Sequence, residues 1–219
     1  MAADDGSLPR EISGRARQLL VELCSLSSPS GDAGGVGEVA VRLSMELGRH
    51  GLACTTELER GADDGLQPVL VARASSAADR CLLLVGHMDT VLPAIPPRLD
   101  GDRLTATGAL DMKGGLAMLV GALDLMAARG QSLPDGLTLL AVPDEEASGV
   151  VSERVVRRWS ERARAVLVLE PGRQRGDRRT PAVSVIGGHA PRPDHPLADE
   201  QCKDHPPCPA KRAIFARLA

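Results

Sequence analysis

The chain has 219 residues, 43% of them hydrophobic, and a formal net charge of −3. That length suits one good-sized domain, or a domain plus an appendage. So small a charge gives no reason to expect nucleic acid or an anionic membrane as partner.

The N-terminus, "MAADDGSLPREISGRARQLL", lacks the basic start and apolar run of a secretory signal. No apolar run reaches the roughly 18 to 20 residues that a membrane span needs. Residues 9–26 and 34–50 are predicted as amphipathic helices. In the second, Val36, Val39, Ala40, Leu43 and Leu47 recur at helical spacing and Gly51 is a C-terminal stop. Leu52–Leu58 and Pro68–Ala72 are predicted strands, joined by the turn-rich "ERGADDG". Cys81–Gly86 is a continuous apolar run typical of a strand buried on both faces. "RLDGDRLTATG" reads as a hairpin turning at Asp100-Gly101. Lys113–Arg129 has a helical apolar period, Leu137–Val142 is another buried strand, Val150–Glu161 a helix and Ala165–Leu169 a third apolar strand. With no Tyr, one Trp (Trp159) and one Phe (Phe215), the core must rest on aliphatic side chains. Alternating strands and helices of that composition predict α/β layers around a largely parallel sheet.

After Pro171 the composition changes. Residues 172–219 hold seven of the sixteen prolines, three of the five histidines, and nine Lys/Arg against five Asp/Glu. Only "AVSVIGG" resembles a strand there; the remainder reads as a disordered polar tail. The five cysteines (24, 54, 81, 202 and 208) are odd in number, which suits reduced thiols in a cytoplasmic protein.

Three predicted strands end on groups that bind metals or move protons. "LLLVG" runs into His87 and Asp89, "LTLLAVP" into Asp144, Glu145 and Glu146, and "AVLVLE" into Glu170. Asp111 lies in the glycine-rich "TGALDMKGG" that enters the Lys113 helix. In open α/β sheets the carboxyl ends of strands form the ligand crevice. A histidine flanked by a carboxylate is the usual way to orient a metal-binding imidazole. Singly, each feature has an ordinary structural explanation: a hydrogen-bonded strand-end histidine, or acids at a helix N-terminus. Together they predict a divalent-ion site, with one of the adjacent Glu145-Glu146 pair free to act as general base.

The ordered motifs "GHMDTV", "TGALDMKGG", "DEE" and "LEP" resemble the zinc exopeptidases that include glutamate carboxypeptidase, acetylornithine deacetylase and succinyl-diaminopimelate desuccinylase. The resemblance covers roughly residues 10 to 171 and looks most like the glutamate carboxypeptidase branch. It implies a three-layer α/β zinc-exopeptidase-like catalytic domain with a mostly parallel sheet, of which residues 1–171 would be the N-terminal portion. It further implies two Zn²⁺ per complete site, with Co²⁺ or Mn²⁺ as substitutes. His87 and Glu170 would hold the first ion, Asp111 would bridge, Glu146 would hold the second, Asp89 would orient His87, and Glu145 would be the general base. The implied activity is hydrolysis of amide or peptide bonds in small N-acyl amino acids or dipeptide-like compounds with a free carboxylate. Relatives are expected to form homodimers through a lid domain that follows the Glu170-like position. Residues 172–219 do not read like that lid, and His189 reads as tail. The tail is therefore expected to be frame-shifted or replaced. The alternatives are an inactive remnant binding at most one ion, or a non-catalytic metal-binding module.

Overall fold

A computed structural model describes residues 7–75, 79–171 and 184–186. Two helices come first, α1 (Ser7–Ser25) and α2 (Ala33–Arg49), followed by strands β1 (Leu52–Arg60), β2 (Leu66–Ala74) and β3 (Cys81–His87). A short hairpin, β4 (Arg98–Asp100) and β5 (Arg103–Thr105), precedes α3 (Lys113–Ala128), β6 (Leu137–Val142), α4 (Val150–Ser160), β7 (Ala163–Val168) and β8 (Ser184–Ile186). The predicted elements are all present, with bounds moved by a few residues. The hairpin turn is shifted by one: Asp100 pairs with Arg103, so Gly101 and Asp102 make the turn. The tail reading, with His189, Cys202 and Cys208, lies outside the described residues, except that Ser184–Ile186, inside "AVSVIGG", pairs antiparallel with β7. Cys24, Cys54 and Cys81 are free thiols. Among the described residues no helix is long and apolar enough to cross a membrane.

The six-stranded sheet has the order β1-β2-β6-β3-β7-β8. Its centre, β6-β3-β7, is parallel, and antiparallel strands flank it on both sides. Pleat alternation sorts the central side chains into two cores. Leu84, Leu137, Leu139 and Ala141 face α1, α2 and α3, whereas Leu83, Val85, Leu140 and Val142 face α4. That makes three layers, helix–sheet–helix.

Local sequence explains the helices. Asp32 caps α2, its carboxylate accepting from Gly35 N at 3.0 Å. The Val36, Val39, Ala40, Leu43 and Leu47 stripe is fully buried, as its spacing predicts. Gly51 follows at φ +79, a left-handed conformation in which a Cβ would be strained. α3 carries only two charged side chains, Lys113 and Asp124, because it lies between the sheet and α1.

The topology positions the site. After β3 the chain crosses through α3 to β6 on one side, then through α4 to β7 on the other. Crossovers of one hand in opposite directions put the helices on opposite faces. The carboxyl end of β3 therefore lies between diverging connections, the place where open α/β sheets leave a crevice.

Candidate metal centre

Because β6, β3 and β7 are parallel and adjacent, their carboxyl ends lie side by side. His87 is level with Val142, and Leu169 N donates to Val85 O at 2.9 Å. Residues 87–89, 144–146 and 170 are thereby brought together. Asp111 arrives from the loop before α3. That loop packs very closely: a Cβ on Gly115 would lie 2.3 Å from Leu169 O, so the α3 entry can approach the β7 end only with glycine there. Met112 ties the same loop to the end of β3, its Sδ accepting from His87 N at 3.0 Å. The Asp111–Met112 peptide bond is cis.

His87 is 1% exposed. Its Nδ1 lies 2.9 Å from the Asp89 carbonyl oxygen and 3.2 Å from the Asp89 carboxylate. Both neighbours are acceptors, so Nδ1 carries a proton and Nε2 is the atom turned outward. Nε2 lies 3.1 Å from Asp111 Oδ1, 3.4 Å from Glu170 Oε1 and 3.8 Å from Glu145 Oε2. Burial disfavours charging this imidazole. Hydrogen bonds to Asp111, Asp89 and Glu170 outweigh burial and raise its pKa well above the ordinary value. This cluster of carboxylates calls for positive charge.

A divalent ion supplies that charge without a proton. In a tetrahedral site with bonds of ~2.0–2.2 Å, ligand atoms stand ~3.3–3.6 Å apart. The imidazole–carboxylate separations of 3.1 and 3.4 Å are close to that spacing. Two groups have ligand atoms within 4.8 Å of one another: His87, Asp111 and Glu170, and His87, Glu145 and Glu146. The donor set therefore fits a zinc-like ion. His87 belongs to both groups, and among the described residues Asp111 and Glu146 share none.

Asp89 is fully buried and surrounded by donors. Ser30 Oγ and Glu146 N donate to Oδ2 at 2.6 and 3.0 Å, and Glu145 N donates to Oδ1 at 3.2 Å. Burial pushes its carboxyl up, but His87, Ser30 and Glu146 N more than offset this and hold it below its ordinary range. Glu145 is 2% exposed and Glu146 is half-buried, yet a carboxylate oxygen of each lies within 4.8 Å of the other and of the His87 ring.

Asp144 behaves differently from the other strand-end acids. Its carboxylate accepts from Val151 N and Ser152 N, each at 2.9 Å, and from Ser152 Oγ at 2.5 Å. It caps α4 and belongs to neither ligand group.

Sequence reasoning missed the loop between α1 and α2. Ser28 Oγ donates to Met88 O at 2.8 Å, Thr90 N to Ser28 O at 2.9 Å, and Ser30 N to Thr90 O at 3.0 Å. It also missed Lys113, a residue 1% exposed whose ammonium donates to Leu26 O at 2.8 Å. Burial pushes the Lys113 pKa down to about 8, against the opposing pull of Cys24 and Asp89. The sequence signal was "SLSSPSG", a small polar run between two helices.

Several known proteins are similar to this chain in sequence. Carboxypeptidase G2 of Pseudomonas sp. (strain RS-16) is 30% identical over 157 residues, covering 69% of this chain and 37% of that protein. A succinyl-diaminopimelate desuccinylase of Delftia acidovorans is 31% identical over 173 residues, covering 72% and 44%. The chain thus spans less than half the length of these relatives. In fold it resembles the di-peptidase Dug1p of Saccharomyces cerevisiae, with TM-score 0.61, 18% identity, and coverage of 77% of this chain and 41% of that one. It is also similar to the M20 metallo-carboxypeptidase Sso-CP2 of Sulfolobus solfataricus, with TM-score 0.58, 23% identity, and coverage of 72% and 37%. Residues 83–205, more than half of the sequence and all of the strand-end carboxylates, match the family described as peptidase family M20/M25/M40, and the chain belongs to that family.

Proposed function

We propose that this chain is a metal-dependent hydrolase of amide or peptide bonds in small N-acyl amino acids or dipeptide-like compounds bearing a free carboxylate. The observation that carries the reading is His87, whose Nδ1 is held by acceptors while Nε2 faces Asp111, Glu170 and Glu145. Membership of a peptidase family supports amide chemistry. The relatives' names, a carboxypeptidase and a desuccinylase, support small substrates with carboxylates. Three free thiols suit a reducing, cytoplasmic setting.

In this reading His87, Asp111 and Glu170 would hold the first ion, and Glu146, with Asp111 shared between the two, would hold a second. Zn²⁺ is the expected metal, with Co²⁺ or Mn²⁺ as substitutes. Such ions would supply Lewis acidity toward the scissile carbonyl and toward a water molecule near neutral pH. Glu145 takes a proton from that water at its carboxylate as the water oxygen attacks the carbonyl carbon. It then gives the proton to the amine nitrogen as the C–N bond breaks. Asp89 keeps the His87 ring turned so that Nε2 faces the ligand carboxylates.

The test is hydrolysis by the full chain, stripped of metal and reloaded with Zn²⁺, Co²⁺ or Mn²⁺, on N-acyl amino acids and dipeptides. Turnover that depends on metal, and is lost in Glu145→Gln with metal retained, is the expected result. Unchanged turnover in that variant would remove Glu145 from the base role. A second reading, a non-catalytic chain holding one ion, is favoured by the sharing of His87 between both ligand groups. One ion per chain with no hydrolysis of any substrate is the outcome that reading expects.

A further inference from the structure

The α1–α2 loop reaches the centre through one side chain. Ser30 lies 59 residues from Asp89 in sequence, yet its Oγ donates to Asp89 Oδ2 at 2.6 Å. The Asp89 carboxylate has one oxygen toward Ser30 and Glu146 N, and the other toward Glu145 N and the His87 ring. The two backbone donors come from the loop that carries Glu145 and Glu146. Ser30 comes from outside that loop, and its hydroxyl shares Oδ2 with Glu146 N.

The loop is itself held firmly. Lys113 Nζ grips Leu26 O, Ser27 Oγ accepts from Ala94 N at 3.1 Å, and Ser28 ties to the backbone on either side of Asp89. Ser30 differs from Ser27 and Ser28 in one respect: its hydroxyl bonds to the carboxylate that holds His87, and theirs bond to backbone.

Resting on the metal reading above, we propose that Ser30 is a positioning residue for the metal centre. It locks the rotation of the Asp89 carboxylate, which in turn fixes His87 with Nδ1 protonated and Nε2 available to the ion. A hydroxyl donor removed at this position frees the carboxylate to rotate and loosens the imidazole. Partners of metal ligands are worth about 10–100-fold in metal affinity. Ser30 acts one step further out, so the lower end of that range is expected.

The experiment is a Co²⁺ titration of the full chain, reading the visible absorption of the bound ion, on wild type, Ser30→Ala, Ser30→Thr and Ser28→Ala. Thermal unfolding of each metal-free protein is measured alongside. Ser30→Ala should weaken Co²⁺ affinity about tenfold and change the absorption bands, and Ser30→Thr, which keeps the hydroxyl, should restore both. Ser28→Ala should lower thermal stability without altering Co²⁺ affinity. Wild-type binding that Ser30→Ala leaves unchanged, or that Ser28→Ala weakens equally, would overturn the proposal while leaving the metal site standing. A wild-type chain that takes up no Co²⁺ would overturn the metal reading and this proposal together.

Discussion

The ends of β3 and β6 hold two buried aspartates with opposite employment. Asp89, just past β3, and Asp144, just past β6, are 0% and 5% exposed, and each accepts several short hydrogen bonds. The bonds of Asp144 come from the first turn of α4 and from Ser152. They satisfy donors that a helix start otherwise leaves orphaned. Asp89 shares its acceptors with an imidazole whose other nitrogen faces three more carboxylates. Burial and hydrogen bonding alone therefore do not mark a functional acid. The partner's onward contacts do: one carboxylate ends in a helix, the other in a ligand cluster.

The contrast can be broken most forcefully at Glu145, which belongs to the ligand cluster without serving either aspartate's structural task. Glu145→Gln should reduce turnover by about 10²–10⁴-fold, measured on the metal-loaded full chain, while metal content stays at the wild-type level. A comparable loss of metal would show that Glu145 is chiefly a ligand.

Next comes the pair itself. Asp89→Asn should weaken Zn²⁺ binding by about 10–100-fold in a competition with a chromophoric chelator. Asp144→Ala should leave Zn²⁺ affinity alone and lower the free energy of unfolding by about 1–3 kcal/mol, through loss of the α4 cap and its buried partners. Chemical denaturation of the metal-free chain measures this. If Asp144→Ala impaired Zn²⁺ binding as much as Asp89→Asn, the division between the two strand ends would collapse.

The smallest effect concerns Lys113, which holds the loop behind Asp89. Its folded pKa of about 8 lies below the ordinary lysine value of 10.5. Between those two values the unfolded chain binds the proton and the folded chain does not, so this group makes stability rise with pH across that window. Below pH 8 both states are protonated and its contribution is flat. In Lys113→Met the metal-free protein should show a shallower rise between pH 8 and 10, by urea titration at each pH. An unchanged slope would mean that Lys113 is not the buried ammonium responsible.

Much of this architecture was legible in the sequence because apolar runs and turn residues act locally. "CLLLVGH" and "LTLLAV" are continuous hydrophobic runs because both faces of β3 and β6 are covered. The association of His87, Glu145, Glu146 and Glu170 was legible for a related reason, and that of Asp111 from the glycine-rich loop entering α3. Parallel strands joined by single helices must end together, so acids at successive strand ends meet. The antiparallel pairing of β2 with β6 was not legible, since strand order depends on long-range register. Asp144 was grouped with its two neighbours because chain adjacency cannot reveal that α4 turns back onto it. Ser30 stayed invisible because its partner is 59 residues away and a serine between helices commonly serves a turn.

The proposal stands or falls on whether His87, Asp111 and Glu170 together hold the first divalent ion. An anomalous difference map collected at the zinc edge, from crystals of the full chain grown with Zn²⁺, tests it most directly. The account predicts a peak about 2.0–2.2 Å from His87 Nε2 and from one oxygen each of Asp111 and Glu170. Zinc bound elsewhere on the chain, with these three side chains bonded only to one another, would contradict it.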